Sequence, residues 1–200
     1  MKISTVIRRA PKIIRNALRD MRYGRPLGGT IRTRYAHLGA CDIGNADYDD
    51  LAILFSHVEV TPDDVLVDVG CGKGRSTNWF LSRYPRNTIY AIELDPDIYA
   101  ATAKRLRRHS NVKMLCGDAT TMLPAAGTVF YLFNPFNEPV MARFIEVLLD
   151  LKSGADGARP TKVIYYNYKF LDLFRNNPRF SVELVEHASL SHRSAIMTLV

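Results

Sequence analysis

Three acidic side chains stand where buried strands are predicted to end. Asp68 closes the strand DVLVDVG, Glu93 closes TIYAIEL, and Asp118 directly follows NVKMLCG. In a parallel sheet, ligands bind at the carboxyl ends of the strands, and a carboxylate there can accept hydrogen bonds from two ribose hydroxyls. Capping of a local turn explains any one of these residues. Carboxylates at three successive strand ends favour a ligand-binding site.

A glycine-rich loop follows the first of these strands. Gly70, Gly72 and Gly74 stand in G-x-G-x-G spacing within DVGCGKGRS. Glycine lets the backbone turn sharply and approach a ligand without an intervening Cβ. Nicotinamide-dependent dehydrogenases instead carry G-x-G-x-x-G, whose third glycine packs a helix against a strand. Counted from Gly70, that position holds Arg75, which disfavours a nicotinamide-dependent oxidoreductase.

The segments that position these residues alternate between strands and helices. Amphipathic helices are predicted at ADYDDLAILFSHV, RSTNWFLSRY, DPDIYAATAKRLRRH and EPVMARFIEVLLDL. The remaining strand patterns are TVFYLF, TKVIYYNY, FSVELVEH and SAIMTLV. This alternation predicts an α/β fold with a mostly parallel sheet that is covered by helices on both faces. The last two strands have little helix between them, so they are predicted to form an antiparallel hairpin at one edge.

Composition limits the class of protein. The 200 residues are 47% hydrophobic, which indicates a globular chain with its own core. The three cysteines, Cys41, Cys71 and Cys116, lack metal-ligand spacing and form an odd set. They therefore indicate reduced thiols in a cytoplasmic protein, with no disulfide framework and no metal site.

Residues 1–40 differ from the rest of the chain in charge. They hold ten Lys or Arg against one acid, Asp20, which gives +9, whereas the whole chain carries +7. Apolar residues recur at three- and four-residue steps from Ile3 to Met21, so this segment is predicted to form an amphipathic helix with a basic face. Pro11 either kinks this helix or begins a second one. We divide the chain into a basic helical extension, residues 1–40, and a domain, residues 41–200.

Three roles are open for the extension. It can pack on the domain with its basic face in water, lie on an anionic membrane surface, or bind a phosphate-rich partner. We expect it to fold back over the ligand cleft and bury Ile7, Ile14 and Leu18. In that position it would exclude water from the reacting groups.

The chain resembles the class I S-adenosylmethionine-dependent methyltransferases of the small bacterial type. VDVGCGKG at residues 67–74 is similar to the first motif of that family, and Glu93 matches the acidic residue that ends its second strand. Gly117, Asp118 and Ala119 match the third motif. The resemblance covers about residues 45–200. It implies a Rossmann-like seven-stranded sheet with an antiparallel last strand, S-adenosylmethionine as cofactor and no metal.

The resemblance also implies a role for each matched residue. The loop from Gly70 to Gly74 would lie against the methionine part of the cofactor, next to Asp68. Glu93 would bind the ribose hydroxyls. Asp118 would accept a hydrogen bond from the adenine amino group, and the backbone N–H of Ala119 would face the ring.

A further resemblance concerns the stretch NPFN at the end of the fourth strand. Family members that methylate amines often carry Asn or Asp, two prolines and an aromatic residue at this place. Asn134 would then accept a hydrogen bond from the target nitrogen, and Phe136 would flank a planar substrate. The second proline is missing here, and the alternative is an Asn-Pro turn with Phe136 in the core. Both interpretations stay open.

The prediction for function is methyl transfer from S-adenosylmethionine to a nitrogen or oxygen of a small or compact acceptor. The domain has no large insertion that could recognise a bigger substrate. A hydroxyl acceptor would need a base, for which Glu138, Tyr166 and Asp49 are candidates. The alternative is a non-catalytic S-adenosylmethionine-binding module whose basic helix docks on a membrane or a partner. The predicted location is the cytoplasm, with the membrane periphery as a variant of it.

Overall fold

The computed structural model describes residues 3–153 and 159–200, with side chains from residue 11 onward. Seven strands form one sheet in the order β3-β2-β1-β4-β5-β7-β6. Strand β7 runs antiparallel to both β5 and β6, and the other pairs are parallel. This arrangement confirms the predicted α/β fold and its antiparallel hairpin. The strands are β1 (Leu66–Val69), β2 (Ile89–Glu93), β3 (Val112–Cys116), β4 (Val129–Phe133), β5 (Lys162–Tyr166), β6 (Phe180–Val185) and β7 (Ser194–Leu199).

Helices cover both faces of the sheet, and each face has its own apolar core. On one face α6 and α7 pack on the strands through residues such as Phe144 and Phe174. On the other face α2, α3 and α4 contribute residues such as Leu54, Phe80 and Leu106. The helices are α1 (Ile3–Met21), α2 (Tyr48–Ser56), α3 (Arg75–Arg83), α4 (Pro96–Leu106), α5 (Ala119–Met122), α6 (Glu138–Lys152) and α7 (Asp172–Arg175).

Helix α1 excludes one of the two alternatives for Pro11 and corrects one expectation. Pro11 lies inside one helix, so it does not begin a second one. The side chains of Ile14 and Leu18 are 59% and 65% exposed, so the expectation that α1 buries them over the cleft is wrong. The side chain of Ile7 lies outside the described part. Helix α1 instead meets the domain through polar side chains, including Asp20, which is fully buried.

Residues 22–47 connect α1 to α2 without a long regular element. They contain one 3₁₀ turn, Ala36–Leu38, and take part in two single β-bridges, Ile31 with Ile43 and Ala40 with Phe136. The second bridge joins this connection to the turn after β4. In the described part of the chain, no helix has both the length and the apolar character to cross a membrane.

Candidate active site

A deep cleft opens at the carboxyl ends of the parallel strands. It encloses about 1140 Å³ of space, its open mouth included. One wall is the strand edge, with Asp68, Gly70, Glu93 and Asp118. The opposite wall is formed by residues between Thr33 and Ala46, and the turn after β4 closes one side. The cleft therefore lies at the edge where the strand-end carboxylates are predicted to form a site.

Asp68 is buried at the end of β1 and has only uncharged partners. Its Oδ2 accepts hydrogen bonds from the hydroxyls of Ser76 and Thr77, both at 2.6 Å. These hydroxyls stand in the first turn of α3, which begins immediately after the glycine loop. Burial disfavours the carboxylate, and although the two hydroxyls partly offset this effect, the pKa of Asp68 is raised to about 6.

The three glycines of the loop have different surroundings. Gly70 lines the cleft, with φ +71°, and a Cβ there would come within 2.8 Å of Pro135. A Cβ on Gly72 would come within 2.5 Å of Ile43, so this glycine lets the opposite wall pack directly on the loop. Gly74 lies against Arg105 and Thr102 instead. Of the three, only Gly70 lines the cleft, and contact with the cofactor stays a prediction for all three.

Glu93 lines the cleft at the end of β2. Its Oε2 accepts from the backbone N–H of Gly72 at 2.7 Å, and its Oε1 accepts from that of Asp95 at 2.9 Å. Burial raises the pKa of Glu93, and the backbone hydrogen bonds oppose that rise. Each carboxylate oxygen can accept a second hydrogen bond, so the group can hold the loop and still receive ribose hydroxyls.

Asp118 and Ala119 stand beyond β3, where Asp118 caps the short helix α5. Its Oδ1 accepts from the backbone N–H and the hydroxyl of Thr120, at 2.8 and 2.9 Å. No hydrogen bond to its Oδ2 occurs within residues 3–153 and 159–200, which leaves that oxygen available to a ligand amino group. Both Asp118 and Ala119 line the cleft.

The turn after β4 contains both predicted catalytic residues, in different settings. Phe136 lines the cleft and also packs on Phe144 of the core, with ring centroids 6.0 Å apart. Asn134 is 7% exposed and does not line the cleft. Its Oδ1 accepts from the hydroxyl of Tyr165 at 3.3 Å, and its Nδ2 lies 4.0 Å from the Sγ of Cys41, which does line it. A catalytic role for Asn134 stays a prediction.

The residues of the wall opposite the strands were not among the site residues predicted from the sequence. It includes Tyr35, Cys41 and Asp42, and the Oδ1 of Asp42 accepts from the backbone N–H of Thr33 at 3.0 Å. Burial raises the pKa of the Cys41 thiol, so this cysteine is not an activated thiolate. The stretch LGACDIGN has neither helical nor strand periodicity, and nothing in it signals a binding wall. The candidate bases Glu138, Tyr166 and Asp49 do not line the cleft.

Two observations indicate which kind of ligand the cleft can bind. Tyr131 borders the cleft, and its buried hydroxyl has no hydrogen-bond partner among the described residues, which is unusual for a buried polar group. The acceptor oxygens at Glu93 and Asp118 suit ribose hydroxyls and an amino group. The residues present therefore fit a nucleoside-containing cofactor. Over the described ranges, no three His, Cys, Asp or Glu side chains are grouped so as to hold a metal ion.

Comparison with known proteins agrees with this geometry. The family described as a methyltransferase domain matches residues 66–148, the segment that carries the glycine loop and all three strand-end carboxylates. Residues 66–148 therefore carry a methyltransferase domain of the class I S-adenosylmethionine-dependent type. S-adenosylmethionine is the methyl donor of this family.

Curated relatives of this chain align with it over part of their length. A probable cobalt-precorrin-6B C(15)-methyltransferase of Archaeoglobus fulgidus is 36% identical over 73 residues, which are 36% of this chain and 42% of that protein. A trans-aconitate 2-methyltransferase of Sinorhizobium medicae is 30% identical over 81 residues, which are 40% of this chain and 30% of that protein. The chain thus spans less than half the length of these relatives.

Solved structures share the fold of this chain over more of its length. A putative O-methyltransferase from Klebsiella pneumoniae has a TM-score of 0.61 at 14% identity, covering 95% of this chain and 90% of its own. An RNA methyltransferase from Salinibacter ruber, solved with S-adenosyl-L-homocysteine, has a TM-score of 0.52 at 19% identity, covering 74% and 89%. These likenesses establish the fold, whereas the acceptors named for them differ from one another.

Proposed function

We propose that this chain transfers the methyl group of S-adenosylmethionine to a nitrogen or oxygen of a small or compact acceptor. The observation that supports this most is the continuity of the cleft. The same space is bordered by the carboxylates that suit a nucleoside and, across from them, by Tyr35, Asp42 and Phe136. Both sides of this one space are lined by side chains, so an acceptor on the far side would lie beside the cofactor.

We assign the strand edge to cofactor binding. Glu93 would receive the ribose hydroxyls, Asp118 the adenine amino group, and the backbone N–H of Ala119 would face the ring. Asp68 and Gly70 would lie at the methionine end, where the φ of +71° and the nearby Pro135 demand a glycine. When bound, S-adenosylmethionine would supply a methyl group on a positively charged sulfur. A lone pair of the acceptor atom would form the new bond to the methyl carbon as the carbon–sulfur bond breaks, and S-adenosylhomocysteine would leave.

The protein then has two tasks, alignment of the acceptor and removal of its proton. Aromatic and apolar side chains on the far wall, Tyr35, Leu38 and Phe136, would hold a planar or apolar part of the acceptor. Asp42 is the cleft-lining carboxylate on this wall, whereas Asp68, Glu93, Asp95 and Asp118 belong to the strand edge. We therefore assign Asp42 as the base that accepts the proton from a hydroxyl or ammonium acceptor. It replaces the earlier candidates Glu138, Tyr166 and Asp49 in this role.

The location that we propose is the cytoplasm. All three cysteines are free thiols, and a reducing compartment keeps them so.

Labelled methyl transfer tests the proposal. The full chain is incubated with S-adenosylmethionine that carries a labelled methyl group and with separate pools of amines, phenols and carboxylic acids. Labelled product together with S-adenosylhomocysteine is the expected result in at least one pool. Asp42→Asn should lower the rate without changing the affinity for S-adenosylhomocysteine, and Asp63→Asn, an exposed residue outside the cleft, is the matched control. A chain that binds S-adenosylhomocysteine but methylates none of the pools would instead be the non-catalytic binding module.

A further inference from the structure

Helix α1 contacts the domain through its polar face. Asn16 and Asp20, one helical turn apart, are 5% and 0% exposed. The carboxylate of Asp20 accepts from Nε and Nη2 of Arg75 at 3.0 and 2.7 Å and from the hydroxyl of Tyr48 at 3.0 Å. Asn16 donates to Asp47. Helix α1 therefore buries the polar residues that a surface helix normally exposes to water.

Ion pairs along the start of α2 reinforce this orientation. Lys12 lies 2.6 Å from Asp47 and 3.2 Å from Asp50. Arg15 and Arg19 share Asp49, at 3.2 and 2.7 Å. These contacts neutralise part of the basic face and fix the rotation of the helix about its own axis.

The apolar side of α1 consequently faces outward. We define the apolar stripe as Ile14, Leu18 and Met21, which follow one another at steps of four and three residues, with Ile13 beside them. Their exposed fractions are 59%, 65%, 54% and 60%. A surface helix ordinarily turns such a stripe toward the core. Here the stripe remains available to a partner outside the chain.

Exposed apolar groups and positive charge are concentrated in the same segment. In the described part of the chain, six of the nine exposed large hydrophobic side chains lie between residues 13 and 38. Arg22 and Arg25, which are exposed and follow the stripe, form no ion pair with any described residue. A partner for this surface must therefore be both apolar and anionic.

We propose that the apolar stripe inserts into the surface of an anionic lipid bilayer. An interfacial helix buries one apolar face at the boundary between headgroups and acyl chains, and basic side chains beside it attract anionic headgroups. A second copy of this chain fits poorly, because it would bring Arg22 and Arg25 beside one stripe against the same arginines beside the other. This inference concerns attachment and is independent of methyl transfer.

Vesicle co-sedimentation of the full chain tests this proposal. We expect binding to vesicles of phosphatidylcholine with phosphatidylglycerol, little binding to phosphatidylcholine alone, and weaker binding as salt rises. The double variant Ile14→Ser, Leu18→Ser should lower the partition coefficient by about tenfold or more, because the stripe loses two inserting side chains. The matched control is Leu151→Ser, Leu184→Ser, which replaces apolar side chains that are 36% and 39% exposed elsewhere. It should bind as the parent does.

Several results would overturn the proposal. The stripe variant should keep the melting temperature of the parent, because the side chains it replaces are more than half exposed. Equal vesicle binding by the parent and the stripe variant would remove the stripe as the inserting surface. Absence of binding to anionic vesicles, together with a concentration-dependent dimer that only the stripe variant loses in analytical ultracentrifugation, would assign the stripe to a second copy. Tight RNA binding without vesicle binding would assign the basic segment to a nucleic acid.

Discussion

Two buried carboxylates are stabilised in different ways. One lies at the strand edge of the cleft, and the other lies on α1 in the N-terminal region. Asp68, at the strand edge, is 1% exposed and accepts from the uncharged hydroxyls of Ser76 and Thr77. Asp20, on α1, is 0% exposed and forms a two-point ion pair with Arg75. The first carboxylate depends on neutral dipoles, whereas the second requires a charged partner 55 residues away in sequence.

The same difference separates the two regions as wholes. Backbone hydrogen bonds between parallel strands position the strand edge, so that Asp68 and Glu93 follow from the pairing of β1 with β2. The N-terminal region has few such bonds and depends on side-chain links. Lys73 donates to the carbonyls of Gly28, at 2.8 Å, and Gly29, and Arg34 lies 3.0 Å from Asp95. Changes at single side chains should therefore affect the two regions very differently.

The largest effect is expected at the ion pair of the N-terminal region. Asp20→Ala leaves the guanidinium of Arg75 buried without its partner, which should lower the free energy of unfolding by about 3–5 kcal/mol. Urea denaturation of the parent and the variant measures it. The control is Asp63→Ala, which removes the exposed pair of Asp63 with Arg159 and should cost about 0–1 kcal/mol. Equal costs would show that α1 does not contribute to the stability of the domain.

This contrast also explains what could be predicted from the sequence. Strands, helices and strand ends follow from local periodicity, so the sheet, its antiparallel hairpin and the location of Asp68, Glu93 and Asp118 were predictable. The rotation of α1 was not, because hydrophobic periodicity predicts that Ile14 and Leu18 face the core. Ion pairs of α1 with residues about 30 to 55 positions away determine it instead.

For a similar reason, the second wall of the cleft could not be predicted from the sequence. Residues 39–41 are held by backbone contacts to the turn after β4, including Cys41 N–H to the carbonyl of Pro135 at 3.0 Å. Such isolated bridges leave no repeating pattern in the sequence. The Asn-Pro-Phe stretch could be recognised as unusual, but the segment that it pairs with could not.

The next effect concerns pH and Asp68. Its pKa is raised to about 6 in the folded chain, above the value of roughly 3.9 expected when unfolded. The folded state therefore holds the proton more tightly, so the associated stability is present below about pH 4 and is lost as the pH rises through 6. The loss amounts to about 3 kcal/mol at most.

Asp68→Asn removes that titration and retains an oxygen acceptor for the two hydroxyls. Relative to the parent, the variant should gain stability between pH 4 and pH 7, as measured by urea denaturation at each pH. The exposed Asp63→Asn serves as control and should show no such gain. A constant difference between parent and Asp68→Asn across this range would mean that Asp68 is ionised throughout.

Glu93 tests the strand edge through ligand affinity. Glu93→Ala should weaken the binding of S-adenosylhomocysteine by about 1–3 kcal/mol, because the ribose hydroxyls and the N–H of Gly72 lose a charged acceptor. Calorimetric titration measures the change. Glu93→Gln keeps one oxygen acceptor and should lie between the variant and the parent. Glu183→Ala, at an exposed position on β6, should bind as the parent does, and unaltered affinity of Glu93→Ala would remove Glu93 from the site.

The smallest expected effect separates the two interpretations of Asn134. This residue has a φ of +43°, which an alanine adopts only with strain and a glycine adopts freely. Asn134→Ala therefore removes the amide and strains the turn, whereas Asn134→Gly removes the amide alone. If the amide orients the acceptor, both variants should lower turnover by about tenfold and leave the affinity for S-adenosylhomocysteine unchanged. If the residue serves only the turn, Asn134→Gly should keep its turnover while Asn134→Ala melts at a lower temperature. Tyr165→Phe, which removes the hydroxyl that donates to Asn134, should reproduce part of the turnover loss only in the first case.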